Sequence, residues 1–342
     1  VTAAAVPTRL RFTHLALTLL LLLAVVTLAV LLGAIDLGWQ RVLGEILAQL
    51  TGGLSPLSAR EAAILWELRV PRVVLACLVG AALASSGAAF QGVFRNPLAD
   101  PYLLGAAAGA GLGATLAVFA VPTFSTGLGA LPIAAFAGAV LGVGLTWALG
   151  RSAGPGTATL VLAGVAVAAF LTALQTFVQT LDVDSLRTIY TWMLGGLGGA
   201  GWSQVLVVLP YIALSSFVLC ASGRLLDVLG VGDEEAAALG LHPRRVRLIV
   251  LGAASLATAA AVSVSGLIGF VGIVVPHVVR LLVAGSYRVL VPLSLLGGAS
   301  FVVLADMVAR TVIAPGELPI GVITAFTGAP FFAVVLRRSR RL

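Results

Sequence analysis

Apolar runs of near membrane-spanning length fill most of this chain, and they constrain its fold more than any other feature. Bounded by Gly, Pro or charge, they fall at about 14–34, 72–94, 103–121, 131–150, 159–181, 203–222, 246–265, 267–284, 289–308 and 319–336. At a rise of about 1.5 Å per residue, roughly 20 apolar residues cross a bilayer as a helix. The expected fold is therefore an all-α polytopic membrane protein of about ten transmembrane helices, with residues 1–342 forming a single transmembrane domain. Only Ser265-Gly266 separates the seventh and eighth runs, and Pro276 interrupts the short eighth. The first run has Arg9 and Arg11 ahead of a Leu-rich core, like a signal peptide. It is longer than a typical signal core and lacks a clear small-residue cleavage site, so it reads as a retained helix behind a tail of residues 1–13.

Charge supplies the topology. Only 10% of residues are charged, against roughly 25% in soluble domains, and every basic side chain is arginine. A net charge of +7 could suggest nucleic acid, but its distribution argues otherwise. With the N-terminus in the cytoplasm and strict alternation, fourteen arginines lie inside, and only Arg41, Arg60, Arg69, Arg72, Arg187 and Arg310 lie outside. That bias obeys the positive-inside rule and places both termini in the cytoplasm. The basic excess is then a topology signal, and no nucleic-acid partner is expected. Cys77 and Cys220 sit in apolar stretches without metal-ligand spacing and read as small hydrophobes.

Between the first two spans, residues 36–68 hold Trp39-Gln-Arg-Val-Leu-Gly-Glu-Ile-Leu and Ala59-Arg-Glu-Ala-Ala-Ile-Leu-Trp-Glu-Leu. Both read as short amphipathic helices with an interfacial Trp on the outer surface. No extramembrane segment has room for a nucleotide-binding domain, and no GxxxxGK[ST] loop is present. If transport costs ATP, another chain hydrolyses it. The spans are nearly free of the ionisable groups that an ion-coupled carrier or a voltage sensor usually places at membrane depth, and Asp306, Glu317, His277 and Arg280 sit near predicted ends. They also lack the paired or triad groups that catalysis needs, so no enzyme is expected.

Four local patterns carry functional weight. Arg69-Val-Pro-Arg72 opens an apolar stretch that closes on Arg95-Asn-Pro-Leu-Ala-Asp-Pro101. The distance from Arg72 to Asn96 is about one bilayer crossing, so an arginine pair marks one face and a stiff polar turn the other. In the fifth span Thr172, Gln175, Thr176, Gln179 and Thr180 recur on one helix face. They either bond to neighbouring helices or line a water-filled passage. The segment 223–246 contains Asp233-Glu234-Glu235-Ala236-Ala237-Ala238-Leu239-Gly240. Acids in the first turn and a closing glycine predict a short helix, either a solvated connector or a docking element. Finally, Gly105 to Gly113 and Gly195 to Gly199 are glycine-rich, which close helix packing explains better than a dinucleotide fingerprint.

From about residue 60 onward the chain resembles the FecCD family, the permease subunits of ABC importers for ferric siderophores, haem and cobalamin. The resemblance rests on Arg69-Val-Pro-Arg72, Arg95-Asn-Pro-Leu-Ala-Asp-Pro, Trp192-Met-Leu-Gly-Gly, Gly266-Leu-Ile-Gly-Phe-Val-Gly, Ala305-Asp-Met-Val-Ala-Arg310 and Glu317-Leu-Pro-Ile-Gly, among others, in this order. It implies a subunit of a twenty-helix dimer with a second permease copy, two ATP-binding subunits below and a substrate-binding protein above. Arg69, Arg72 and Arg310 would accept carboxylates of that binding protein. Asn96, Pro97 and Leu98 would form one cytoplasmic gate, and Thr157 and Ala158 align with a second. Residues 233–240 would couple to the ATPase. The resemblance implies no cofactor on this chain, with ATP and Mg used by the partner. The expected function is a permease of a bacterial inner-membrane importer for an iron chelate, foremost a ferric siderophore. Haem and cobalamin are the alternatives within the family, and an ion-coupled carrier is the alternative class.

Overall fold

All ten apolar runs become helices, with ends within a few residues of those expected. The structure, a computed structural model, describes residues 10–120, 129–154, 156–283 and 285–339. In chain order the helices are α1 (Phe12–Leu31), α2 (Trp39–Thr51), α3 (Ala59–Ala63), α4 (Val70–Phe94), α5 (Ala106–Ala120), α6 (Ala130–Ala153), α7 (Thr157–Leu181), α8 (Leu186–Met193), α9 (Trp202–Ala221), α10 (Gly223–Val231), α11 (Asp233–Ala238), α12 (Pro243–Ser265), α13 (Val271–Val283), α14 (Tyr287–Thr311) and α15 (Ile320–Ser339). Among the described residues seven helices are long and apolar enough to span a membrane, and Ala106–Ala120, Val271–Val283 and Ile320–Val335 are shorter apolar helices. Of the tail expected at residues 1–13, residues 1–9 lie outside the described residues, and α1 already begins at Phe12.

Small residues decide which helix sits at the centre. α4 carries Gly80-Ala-Ala-Leu-Ala-Ser-Ser-Gly87, and it is the most buried of the spanning helices. A methyl on Gly80 would run into the carbonyl of Gly298 in α14, and one on Gly87 into that of Gly272 in α13. Helices in lipid gain little from hydrophobicity and associate through such close backbone approach. Polar groups on α4 find partners within the bundle. The Ser86 hydroxyl donates to the Ala254 carbonyl of α12 at 3.0 Å, and the Gln91 amide donates to the Gly272 carbonyl at 3.1 Å. The glycine run from Gly105 serves the same end, since Gly109 and Gly113 lie against Gly138 and Ala134 of α6.

One stretch differs from expectation. The segment 59–69 does not lie apart on the surface. α3 passes through a π-helical turn, Ile64–Arg69, directly into α4. α2 is stapled to this extension: the carboxylate of Glu45 accepts from Trp66 Nε1 at 3.1 Å and from the Ser55 hydroxyl. Arg41 forks onto Glu61, which also accepts from the backbone N–H and hydroxyl of Ser58. The segment 223–246 is largely helical, because α10 buries Leu226 and Leu229 in the core and α12 already starts at Pro243. The Gly195 to Gly199 run is a link between α8 and α9, where Gly195 takes φ +75° against Leu267.

Candidate functional site: two polar ends of one central helix

The packing of α4 on α14 brings residues far apart in sequence to one end of the bundle. Arg69 closes the π-helical turn and Arg72 begins α4 just after Pro71, while Asp306 and Arg310 occupy the last turns of α14 one helical turn apart. Glu317 follows on the exposed stretch 311–317, where the Leu318 N–H donates back to the Ala309 carbonyl at 2.9 Å.

The three arginines converge, but as buried groups. Arg69 is 5% exposed and donates to the carbonyls of Val30, Leu31 and Ile35 at 3.0, 3.3 and 2.6 Å. Arg310 is 3% exposed and donates to the Ala29 carbonyl at 2.5 Å. Both guanidinium groups thus cap the C-terminus of α1, where unpaired carbonyls and the negative helix end favour a cation. Reading all three as free docking cations therefore has to be corrected for Arg69 and Arg310, whose donors are turned inward.

Arg72 is different. One edge of its guanidinium, Nε and Nη2, donates to Asp306 at 2.9 and 2.8 Å. The other edge, Nη1 and Nη2, forks onto both oxygens of Glu317 at 2.8 and 2.9 Å. Asp306 is buried, whereas the side chain of Glu317 is 39% exposed. The Arg72 fork holds the Glu317 carboxyl below the usual carboxylate range. A cavity of about 220 Å³ opens on this cluster, lined by all three arginines, Glu317, Ile64 and Leu68. Sequence reasoning did not pair Asp306 and Glu317 with Arg72. The available signal was that charged groups at the ends of apolar spans need partners.

At the opposite end, Arg95 ends α4 in the left-handed region at φ +50° and starts an exposed turn. Asn96 Oδ1 accepts from the Leu98 N–H at 2.9 Å, which stiffens Asn96-Pro97-Leu98. Thr157 and Ala158 open α7, and among the described residues no hydrogen bond joins them to that turn. α11 forms where its acids predicted. Gly240 at φ +82° closes it: its N–H donates to the Ala237 carbonyl at 2.9 Å, and the Leu241 N–H to that of Ala236 at 3.0 Å. Ala236 is buried while Glu234, Glu235, Ala237, Ala238 and Leu239 face outward. A groove of about 480 Å³ runs beside this helix, lined by Asp233, Ala237, Leu241, His242 and Arg244, among others.

Asp233 ties this helix to the turn after α4. Arg247 of α12 forks onto its two oxygens at 2.8 and 2.6 Å, and Arg95 Nη2 bonds the same carboxylate. Arg95 Nε also donates to the Leu229 carbonyl of α10 at 2.8 Å. These cations, Arg247 first, hold the Asp233 carboxyl below its ordinary range.

The polar face of α7 divides. Gln175 is buried, its amide donating to Met193 Sδ at 3.1 Å beside Gly111. Thr172, Thr176 and Thr180 are exposed, and Gln179 is half-buried. Thr176 and Thr180 return their hydroxyls to the Thr172 and Phe177 carbonyls at 2.9 and 2.7 Å. Gln175 therefore fits the interhelical reading, and a passage can use only the remaining stripe.

Comparisons with known proteins give one consistent result. The model of the FecCD transport family matches residues 20–338. The cobalamin import permease BtuC of Halobacterium salinarum is 45% identical over 80% of this chain and 73% of its own length. The hemin transport permease HmuU of Yersinia pestis is 40% identical over 80% of this chain and 83% of its own. An inward-facing ABC transporter structure of metal-chelate type superposes with a TM-score of 0.82 at 28% identity, covering 95% of this chain and 99% of the other.

Proposed function

Because the chain belongs to the FecCD transport family and is the permease subunit of an ABC importer, not its ATPase, we propose that its cargo is an iron chelate, a ferric siderophore. The observation that carries this reading is the full-length likeness to a metal-chelate type transporter. The identities to a cobalamin permease and to a hemin permease make cobalamin and haem the second reading.

The Arg72 end faces outward and receives the substrate-binding protein, and the Arg95 end faces the cytoplasm and receives two ATPase subunits. The arginine bias and the exposed coupling helix α11 support this orientation in a bacterial inner membrane, with both termini inside. Two copies pair around a common path. Their pairing would cover part of the apolar surface that one copy leaves open, where Phe170, Phe177, Leu206 and Phe217 point outward. Asn96-Pro97-Leu98 and the start of α7 then form the cytoplasmic gate, and the Thr172–Thr176–Thr180 stripe lines the path above it. Transport proceeds by rigid-body shifts of packed helices.

The test is uptake into proteoliposomes that contain this permease and its ATPase, with the binding protein loaded in turn with ferric siderophore, haemin and cobalamin. ATP-dependent accumulation of the siderophore supports the reading. Uptake of cobalamin or haemin alone would move the assignment to the second reading, and uptake driven by an ion gradient without ATP would overturn it.

A further inference from the structure

We infer that Glu317 is a resident stand-in for the partner's carboxylate: it occupies the solvent-side fork of Arg72 until an Asp or Glu of the binding protein displaces it. This rests on the docking reading above and adds the group that the partner must replace.

The geometry separates two roles around one guanidinium. Asp306 holds the Nε and Nη2 edge from the buried side, so Arg72 stays oriented whatever happens outside. Glu317 takes the Nη1 and Nη2 edge, the planar fork that any carboxylate would engage with two parallel bonds. Of the N–H groups on this guanidinium, one on Nη1 bonds neither carboxylate, which gives an arriving oxygen a first foothold beside Glu317.

Exposure and charge point the same way. Residues 311–317 are all exposed, so Glu317 can swing out without repacking a core. Around the cluster three arginines meet Asp306, Glu317 and, acting on Arg69, Asp36, so the charges balance while Glu317 is seated and leave one positive charge when it swings away. With Glu317 seated the cluster is balanced, and its attraction for an acidic partner is held back. Exchanging one ion pair for another of the same geometry makes docking reversible, as a binding protein that must arrive and leave in every cycle requires.

The experiment places the permease with its ATPase in nanodiscs and measures binding of the substrate-binding protein encoded beside the permease gene by surface plasmon resonance at low and physiological salt. E317Q removes the competing charge and should tighten binding by up to about fivefold, chiefly through faster association that fades at higher salt. R72Q should weaken binding and abolish the effect of E317Q. Weaker or unchanged binding by E317Q, with R72Q weakened, would overturn the exchange while leaving docking at Arg72 intact. Binding unaffected by R72Q would remove both. A cryo-EM structure of the wild-type complex decides independently of any variant: Glu317 still forked on Arg72 beneath the bound partner would refute the exchange.

Discussion

Asp306 and Glu317 both neutralise Arg72, yet removing the two charges should have very different consequences. In D306N a buried carboxylate is lost, leaving the Nε edge of Arg72 without an anion and Arg310, 3.5 Å away, without its counter-charge. Stripping one partner from a buried ion pair costs about 3–5 kcal/mol, because the stranded charge cannot be rehydrated. That is a large part of the roughly 5–15 kcal/mol that holds a typical domain together. E317Q removes a pair whose carboxylate is 39% exposed, worth about 0–1 kcal/mol in high dielectric. The assay is thermal unfolding of the purified permease in one detergent, followed by size-exclusion recovery after heating. The midpoint of D306N should fall by several degrees or more, and that of E317Q by roughly 3 °C at most. Adding R72Q to D306N should recover part of the loss, because the stranded cation leaves as well. Equal shifts for D306N and E317Q, or none for D306N, would refute the claim that burial and not charge alone sets the energetics here.

Further outcomes can be checked alongside. G80A puts a methyl into the Gly298 backbone and should cost about 1–3 kcal/mol in packing, seen as loss of monodisperse protein; G144A, with open space around it, should be tolerated. Asp233→Asn should loosen α11 from Arg95 and Arg247, so that uptake per ATP hydrolysed falls in proteoliposomes; an unchanged ratio would remove the clamp from the coupling route. Because the native Asp233 carboxyl titrates below its ordinary value, the clamp is complete above the usual aspartate range and opens only as pH falls through the lowered value. Coupling should therefore show no Asp233-dependent change between about pH 5 and 8. In a background without Cys77 and Cys220, Q175C should resist water-soluble thiol reagents in every nucleotide state while T176C reacts in at least one; labelling of Q175C would return that residue to the path.

How far the sequence could be read depended on whether a property was local. Ten apolar runs, the helix at Asp233–Ala238 and its closing glycine were legible because run length, acids in a first turn and a glycine at positive φ act within a few residues. The extension of α4 back to Ala59 was not. Amphipathic helices on a surface and amphipathic helices continuing a span share one pattern, and only the neighbours of Trp66 separate them. The α7 stripe shows the same limit. Its spacing put Gln175 with the threonines, but Gly111 and Met193 take Gln175 inward.

By itself the sequence determined that this chain is an all-helical membrane protein with ten apolar runs, where its arginines fall along those runs, and the family it resembles. Hydrophobic length and charge bias are additive along a chain, so no partner is needed to read them. Only the tertiary structure decided what each charge does. A guanidinium is a docking cation, a helix cap or half of a buried pair according to what lies within about 3 Å of it. For Arg69 and Arg310 those neighbours are the carbonyls ending α1, and for Arg72 they are Asp306 on one edge and Glu317 on the other. These contacts bridge more than two hundred residues in the case of Arg72 and exist because two glycines let α4 and α14 touch.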